Sequence, residues 1–437
     1  MFVAQGGDAA NHHLLMTSGL NFLVAAKRCE IAELQQLALT SALVNVTGRL
    51  VHGLQRERGL SNLFLGSQGL QFGDMRTGQI AICRQIEAEL RACFDELDTE
   101  SARLGNGARL FSRIAYVLQG LDALDGLRAQ VQALAWTPQQ VTEAYVRLIA
   151  GLLAVVFEAA DSASDPEISR LLVALFNFMQ GKEFAGQERA AGSALFAGGR
   201  AVAEEQQRLL HLIESQERCL EVFAEFSNPH VVELWNTTQP GAMLAELERL
   251  RRVLCTAPSG SPLNAQVSQA WFDCCSRRID RMKAVEDRLA LDLLQACEHK
   301  ITAAKSELES FHALHTAPAT DTDVLSFFRA ADAHGTAAFG AGAQGYGLHL
   351  ERSILELVQE QARRLQTMSE ELDTVRASLN ERKLIERAKG LLMAHRHLSE
   401  EEAHKTMRQM AMNQNRRLIE VAEAVLAMAE VLPDRPR

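Results

Sequence analysis

Two stretches of the chain follow one pattern, and this internal repeat limits the folds that the sequence can adopt. The segment GLQRERGLSNLFLGS at 53–67 aligns with FAGQERAAGSALFAGG at 184–199. The alignment places Glu57 and Arg58 on Glu188 and Arg189, 131 positions further along. An interval of this length holds about four helices and their turns. The repeat therefore predicts two related four-helix bundles.

The composition indicates that the whole protein is helical. Hydrophobic residues make up 47% of the 437 residues and aromatic residues only 5%, and Leu, Ala, Glu, Arg and Gln dominate long stretches. Alternating runs of β-branched residues between turn signals are almost missing. We expect about eight helices between residues 20 and 315, separated at short clusters such as LDALDG at 121–126 and TAPSGSP at 256–262. The bundles are predicted at about 20–160 and 161–315.

The pattern changes after the second bundle. The segment AADAHGTAAFGAGAQGYG at 330–347 is rich in Gly and Ala, and we interpret 320–349 as a linker or hinge. Over 350–379, apolar positions recur every seven residues, which predicts a coiled-coil helix; a single amphipathic helix packed on its own chain is the alternative. The two rows are Ile354, Gln361, Met368 and Val375, and Val358, Leu365, Leu372 and Leu379.

Charge is distributed unevenly along the chain. The formal net charge is −10, which argues against coating of nucleic acid or an anionic membrane by the whole surface. Residues 380–437 nevertheless hold 11 Lys and Arg against 9 Asp and Glu, a net charge of +2. This segment is where a polyanion would bind. With no apolar run of membrane-spanning length and no signal peptide, we expect a cytoplasmic protein.

The eight cysteines have no spacing typical of a metal site or a disulfide framework. We therefore interpret them as small core residues in a reducing compartment, and we expect neither a bound metal nor a cofactor. They are Cys29, Cys83, Cys93, Cys219, Cys255, Cys274, Cys275 and Cys297.

Arg58 is the residue that raises the question of function. On a helix it shares one face with Leu50, Leu54, Ser61 and Leu65, so it interrupts an apolar stripe. A buried guanidinium without a partner costs several kcal/mol, so Arg58 needs an anion. A carboxylate from another helix could supply it, and so could a ligand. Arginine suits a small planar oxyanion because it donates two parallel N–H groups.

The repeated segments resemble a known family. Together with FNFMQGKEFAGQERAAGSALFAGG at 176–199 and WFDCCSRRIDRMKAVEDRLA at 271–290, LQRERGLSNLFLGS at 54–67 is similar to signature stretches of the NIT family. The resemblance implies an all-helical nitrate- and nitrite-sensing domain over 1–319, in which arginines from both halves bind the anion. Arg58 and Arg189 match the family positions. A third arginine is implied in AELERLRRVL, where we favour Arg252 over Arg249 and Arg251.

The C-terminal segment 380–437 resembles a second family. ERKLIERAKGLLM at 381–393 and NQNRRLIEVAEAV at 413–425 are similar to the ANTAR domain, a three-helix RNA-binding module that follows a coiled coil in transcription antitermination regulators. His397 and His404 depart from the family pattern, which usually has a glycine and an aromatic residue there. The resemblance implies RNA contacts by Lys389, Arg408, Asn415, Arg416 and Arg417. Cations suit backbone phosphates, and Asn415 could reach a base edge in an RNA loop.

These observations lead to one expected function and two alternatives. We expect nitrate or nitrite to bridge the two bundles and to switch a homodimer, paired through the coiled coil, toward binding a leader RNA hairpin. The bound transcript would then escape a terminator. In this way the protein would act on the transcription elongation complex indirectly. A ligand-gated adaptor that binds a protein instead of RNA is the main alternative. Catalysis is disfavoured because HExxH, GxSxG and P-loop spacings are absent from the sequence.

Overall fold

The computed structural model describes residues 6–97, 107–163 and 165–315, and in the C-terminal part 367–373, 375, 381, 384–385, 387–393, 398, 400–414 and 416–431. Apart from one isolated bridge between Arg200 and Pro262, the regular structure in these ranges is helical. This confirms the all-α fold class.

The helices named below range from 10 to 61 residues in length. In chain order they are α1 Gly6–Gly66, α2 Gly73–Asp95, α3 Gly107–Gln132, α4 Pro138–Ser162, α5 Pro166–Gly198, α6 Ala203–Phe226, α7 Pro229–Thr238, α8 Gly241–Thr256, α9 Val267–His315, α10 Glu400–Gln414 and α11 Leu418–Val431. Residues 367–373 and 387–393 are also helical. The linker and most of the predicted coiled coil, residues 316–366, lie outside the described residues, so the boundaries of those two segments stay predictions.

Side chains cap the N-termini of α4 and α5, and the structure corrects one predicted helix break. Thr137 and Gln140 form a capping box before α4, and Asp165 accepts a hydrogen bond from the Ile168 backbone before α5. The predicted break at 121–126 is wrong, because α3 continues through it. Gly120, next to that segment, instead lets the Leu148 side chain come close: a Cβ there would stand 2.8 Å from Leu148 Cδ1. The chain turns later, at 133–137.

The chain is divided into two compact units, each made of two separate segments. The first contains Met1–Ala38 and Gln295–Leu372, and the second contains Leu39–Leu294 and Asp373–Arg437. In the first unit, Lys27 is buried and donates hydrogen bonds of 2.5 Å to both Glu30 and Glu307. This lysine therefore links the α1 and α9 segments of that unit.

The second unit contains the residues of functional interest. The predicted buried face of α1 is confirmed, since Leu50, Leu54 and Ser61 are fully buried and Arg58 is only 2% exposed. Around α5, a hydrophobic core packs α6, α8 and α9 against its second half. Trp271 of α9 lies at the centre of this core and is completely buried.

The small C-terminal domain has its own core. Ala388, Met407, Val421 and Ala422 meet there. About half of the described α10 residues are exposed, whereas most of the described α11 residues are partly or fully buried. In the described part of the chain, no helix is long and apolar enough to cross a lipid bilayer.

Candidate anion-binding site and effector surface

The two glutamates of the repeated segments have equivalent partners. Glu57 of α1 accepts two hydrogen bonds from Arg128 of α3, with distances of 2.8 and 3.0 Å. Glu188 of α5 accepts two hydrogen bonds from Arg251 of α8, with distances of 2.7 and 2.8 Å. In both pairs the Nε and Nη2 atoms of the arginine donate, so the repeat in the sequence is also a repeat in the contacts.

These glutamates are structural counter-ions. Glu57 is completely buried and also accepts a hydrogen bond of 2.7 Å from the Tyr145 hydroxyl. Burial would lower the pKa of Arg128, but its hydrogen bonds to Glu57 and its attraction to Glu87 raise it overall. Burial likewise opposes ionisation of Glu188, yet Arg251 holds the pKa of Glu188 below its usual value. Arg128 and Glu188 therefore remain charged inside the fold.

Arg58, the neighbour of Glu57, has a different partner. Its Nη1 and Nη2 atoms donate to the two carboxylate oxygens of Glu183 on α5, at 2.6 and 3.2 Å. The side chains are 2% and 3% exposed. Gln55 and Gln187 also donate to this carboxylate, at 2.8 and 3.0 Å. An internal carboxylate thus supplies the anion that the position of Arg58 demands.

Arg189, at the matching position of the second segment, lacks such a partner. Its Nη1 atom donates to Ser276 Oγ at 2.9 Å, and its guanidinium lies 4.9 Å from the centroid of the Phe272 ring. Among the residues that the structure describes, Arg189 forms no ion pair with a carboxylate. Burial lowers the pKa of Arg189, and the positive charge of Arg58 lowers it further. The cation is therefore only partly neutralised.

Arg58 and Arg189 each lie against a glycine on the helix of the other. A Cβ on Gly186 of α5 would stand 2.9 Å from Arg58 Nη2, and a Cβ on Gly59 of α1 would stand 3.4 Å from Arg189 Nη2. At Gly186 the absence of a side chain is what allows the Arg58 guanidinium to approach, whereas at Gly59 a Cβ would be in ordinary contact with Arg189. The structure thus brings together the two arginines that the resemblance implied.

The three arginines considered on α8 lie in different environments. Arg251 is buried against Glu188, whereas Arg249 and Arg252 are exposed. The prediction for Arg252 has no support from a contact in the structure, and it stays a prediction. Sequence reasoning missed the roles of Arg128, Arg251 and Glu183. The available signal was the Glu that precedes Arg in both repeated segments. Each of these two glutamates, once buried, needs a cation as its partner, and Arg128 and Arg251 supply them.

The predicted RNA contacts fall into three groups. Arg408, Arg416 and Arg417 are exposed, and Arg416 and Arg417 lie 3.9 and 3.6 Å from Glu420. Lys389 is buried. Asn415 lies outside the described residues. The structure therefore presents three of the five predicted residues on the surface.

One exposed cation of the small domain contacts the sensor helices. Arg408 of α10 donates a hydrogen bond of 2.7 Å to Glu214 of α6. Nearby, the rings of His404 and His211 lie 5.4 Å apart, again between α10 and α6. The Arg408 guanidinium is thus engaged by a carboxylate of the sensor region.

These features define a class of protein: an all-α regulator in which a helical sensor precedes a small helical effector domain. The family model for nitrate and nitrite sensing, NIT, matches residues 49–294, and the ANTAR domain model matches residues 373–426. The chain belongs to the family of nitrate- and nitrite-sensing transcription antiterminators that carry NIT and ANTAR domains. It is a regulator and not an enzyme. The NIT domain implies a nitrate or nitrite ligand, and the ANTAR domain implies RNA binding.

Relatives of full length support this assignment. A nitrate regulatory protein from Klebsiella oxytoca is 33% identical over 410 residues, which are 94% of this chain and 95% of that protein. The solved structure of the NasR transcription antiterminator is 31% identical, with a TM-score of 0.57. That similarity covers 94% of this chain and 99% of the solved chain.

Proposed function

We propose that this protein binds nitrate or nitrite between the guanidinium groups of Arg58 and Arg189. The observation that carries the proposal is their reciprocal packing, in which each arginine of the repeat reaches the helix of the other. Arg189 has a hydroxyl and an aromatic ring as neighbours but no ion-paired carboxylate among the described residues. A planar monoanion there would satisfy donors that come from both halves of the repeat. The domain limits 1–319, 320–349, 350–379 and 380–437 belong to the same proposal.

The output of the switch is RNA binding by the C-terminal domain. Arg408, Arg416 and Arg417 would neutralise phosphates of a leader RNA hairpin, while Asn415 reads a loop base. In the arrangement described here, Glu214 binds Arg408. Lys389 is buried, so its contact with RNA requires its surroundings to change. We therefore propose that the anion favours a state in which α10 leaves α6 and the RNA-binding residues become accessible.

The remaining elements of the proposal concern assembly and location. Two chains would pair through the coiled-coil helix at 350–379, so that two small domains bind one RNA. The bound hairpin would prevent a terminator from forming, which affects the transcription elongation complex without direct contact. The protein would act in the cytoplasm. A homodimer and a cytoplasmic location are predictions from the sequence and the resemblance.

Anion binding can be tested by thermal unfolding of the full-length protein. The melting temperature is measured with nitrate, nitrite, chloride and sulfate for wild type, Arg58→Ala and Arg189→Ala. We expect a saturable increase with nitrate or nitrite alone, because a ligand that binds only the folded state stabilises it. The increase is expected to disappear in both variants. Arg56→Ala is the matched control, since Arg56 is exposed on the same helix. A wild-type protein without a selective increase would refute the anion site.

RNA binding is tested separately. Hairpins are selected from a randomised-loop RNA pool with the full-length protein in nitrate, and their affinity is measured with and without the anion. Glu214→Gln is expected to raise the affinity without nitrate about twofold to fivefold, because exposed ion pairs contribute under about 1 kcal/mol. Glu217→Gln, an exposed carboxylate on the same helix, should have no effect. Failure to select any RNA would favour the protein-binding adaptor.

A further inference from the structure

The guanidinium edge of Arg58 that points toward α5 is already filled. Glu183 binds Nη1 and Nη2 through separate oxygens, and both side chains are withdrawn from solvent. Gln55 and Gln187 hold the same carboxylate in place. An external anion can therefore use this edge of Arg58 only if the carboxylate leaves it.

Glu183 resembles the proposed ligand in its chemistry. A carboxylate, a nitrate and a nitrite each carry one negative charge and present two oxygen atoms in one plane. The fork of an arginine binds such a pair of oxygens with two parallel hydrogen bonds. One edge cannot donate the same N–H groups to two oxyanions at full strength. Glu183 and the anion thus compete for the same donors.

The other buried carboxylates of the repeat do not share this position. Glu57 and Glu188 bind the Nε and Nη2 atoms of Arg128 and Arg251, and additional donors surround them. Neither forms a hydrogen bond to Arg58 or Arg189 among the described residues. In the register of the repeat, the position equivalent to Glu183 is His52, so the carboxylate occurs in one half only.

We infer that Glu183 is an internal competitor of the anion: this carboxylate holds Arg58 in the arrangement described here and must be displaced when nitrate or nitrite binds. This inference rests on the proposed anion site and adds its regulation. Displacement breaks a buried ion pair between α1 and α5, so the binding event changes the packing of α5. Helix α5 packs extensively on α6, which carries Glu214 and the contact to Arg408. Glu183 also lowers the apparent affinity for the anion, because only those molecules in which Glu183 has left Arg58 can bind it.

The test uses Glu183→Gln in the full-length protein. The amide keeps the size and one acceptor oxygen but removes the charge, so the anion becomes the counter-ion of Arg58. Nitrate and nitrite affinities are measured by isothermal titration calorimetry. We expect Glu183→Gln to bind at least about tenfold more tightly than wild type, which corresponds to about 1.4 kcal/mol. Glu188→Gln removes a buried carboxylate from the same helix and is the matched control; loss of its pair with Arg251 should lower the melting temperature, but the anion affinity of the folded protein should stay within about twofold of wild type.

A second variant tests the competition directly. Glu183→Ala leaves room beside Arg58, and added formate should then raise the melting temperature and weaken nitrate binding. Formate should do neither in wild type, where Glu183 fills the fork. This readout is independent of whether Glu183→Gln folds with wild-type stability.

Each outcome separates the two proposals. If wild type binds nitrate but Glu183→Gln binds equally or more weakly, Glu183 positions Arg58 and does not compete, so the inference is wrong while the anion site stands. An equal gain of affinity in Glu188→Gln would also overturn the inference, since general loosening of α5 would explain both. If neither wild type nor Glu183→Gln binds either anion, the proposed function fails and the inference fails with it.

Discussion

The Nη2 atom of Arg58 lies 2.9 Å from the point at which a Cβ on Gly186 would stand. Alanine favours a helix over glycine by up to about 1 kcal/mol, so Gly186→Ala should not unfold α5. The methyl group would instead push the end of the flexible Arg58 side chain away from its present position. We expect nitrate affinity to fall at least about tenfold, while the melting temperature without anion changes by only a few degrees. Calorimetric titration and thermal unfolding measure the two effects.

Gly198→Ala is the control for this prediction. Gly198 is the last residue of the same helix, and a Cβ there meets no atom within 4 Å. Its nitrate affinity should equal that of wild type. An unchanged affinity in Gly186→Ala would mean that the present position of Arg58 is not required for anion binding.

Gly192 is a position where the same substitution should act on stability. A methyl group at Gly192 would overlap the indole of Trp271, which is fully buried and donates a hydrogen bond of 3.0 Å to the Arg189 carbonyl oxygen. Overpacking of this kind costs about 1–3 kcal/mol. We expect Gly192→Ala to lower the urea midpoint with little change in the slope. Gly126→Ala, with open space around it, should leave the midpoint equal or slightly higher. Equal midpoints for both variants would contradict the tight packing of Trp271.

Loss of the arginine from the buried pair of Glu57 and Arg128 should lower the free energy of unfolding far more than loss of an arginine from a surface pair. Arg128→Met leaves the fully buried Glu57 without its counter-ion, which costs about 3–5 kcal/mol. Arg84→Met removes an exposed pair with Asp125 and should cost less than about 1 kcal/mol. Chemical denaturation of Arg128→Met and Arg84→Met measures the free energy of unfolding of each variant. Adding Glu57→Gln to Arg128→Met should recover part of the loss, and similar costs for the two single variants would contradict a structural role for Glu57.

The contact between α10 and α6 should weaken in acid. The pKa of His404 is lowered to about 4, first by burial and then by the nearby Arg218, Lys389 and His211, which Glu214 only partly offsets. Because this value lies below the ordinary value of about 6.5, the docked state favours the neutral ring. Docking is therefore fully stable above about pH 6.5 and is lost progressively as the pH falls toward 4.

RNA affinity provides the measurement of this pH dependence. Without nitrate, affinity for a selected hairpin should rise as the pH falls from about 7.5 to 5.5, by up to about tenfold for one pH unit below 6.5. His404→Gln should have a flat profile over this range. A wild-type profile as flat as that of the variant would show that His404 does not control docking.

The buried face of α1 could be predicted from the sequence because it depends only on helical spacing. Leu50, Leu54 and Arg58 share that face, and the need of Arg58 for an anion followed from the energy of an unpaired buried charge. The identity of the anion could not be predicted, because Glu183 is 125 positions away and its approach depends on how α1 and α5 pack. The energy of an unpaired buried charge required a counter-ion, but only the tertiary packing determines which group supplies it.

The same limit explains why the sequence alone does not identify the functional arginine of α8. Arg249, Arg251 and Arg252 have similar local sequences, and the choice depends on a rotation of the helix by about 100° per residue. Arg251 faces Glu188 across the core, so it is the buried member. The erroneous break at 121–126 has a related cause. Glycines such as Gly126 can end a helix, but Leu121 and Leu124 of that segment are buried on one face of α3, and their packing continues the helix.

Two guanidinium groups and one carboxylate meet between α1 and α5, and this stoichiometry has a consequence for selectivity. Among the charges inside the fold, Arg58, Arg189 and Glu183 together carry one unit of net positive charge, whether or not Glu183 still holds Arg58; Asp280 also attracts Arg189, but it is exposed and screened by solvent. A monovalent anion brings the cluster to electroneutrality, whereas a divalent anion such as sulfate would leave a surplus negative charge in a region of low polarity. The site can therefore discriminate between oxyanions of similar geometry by valence.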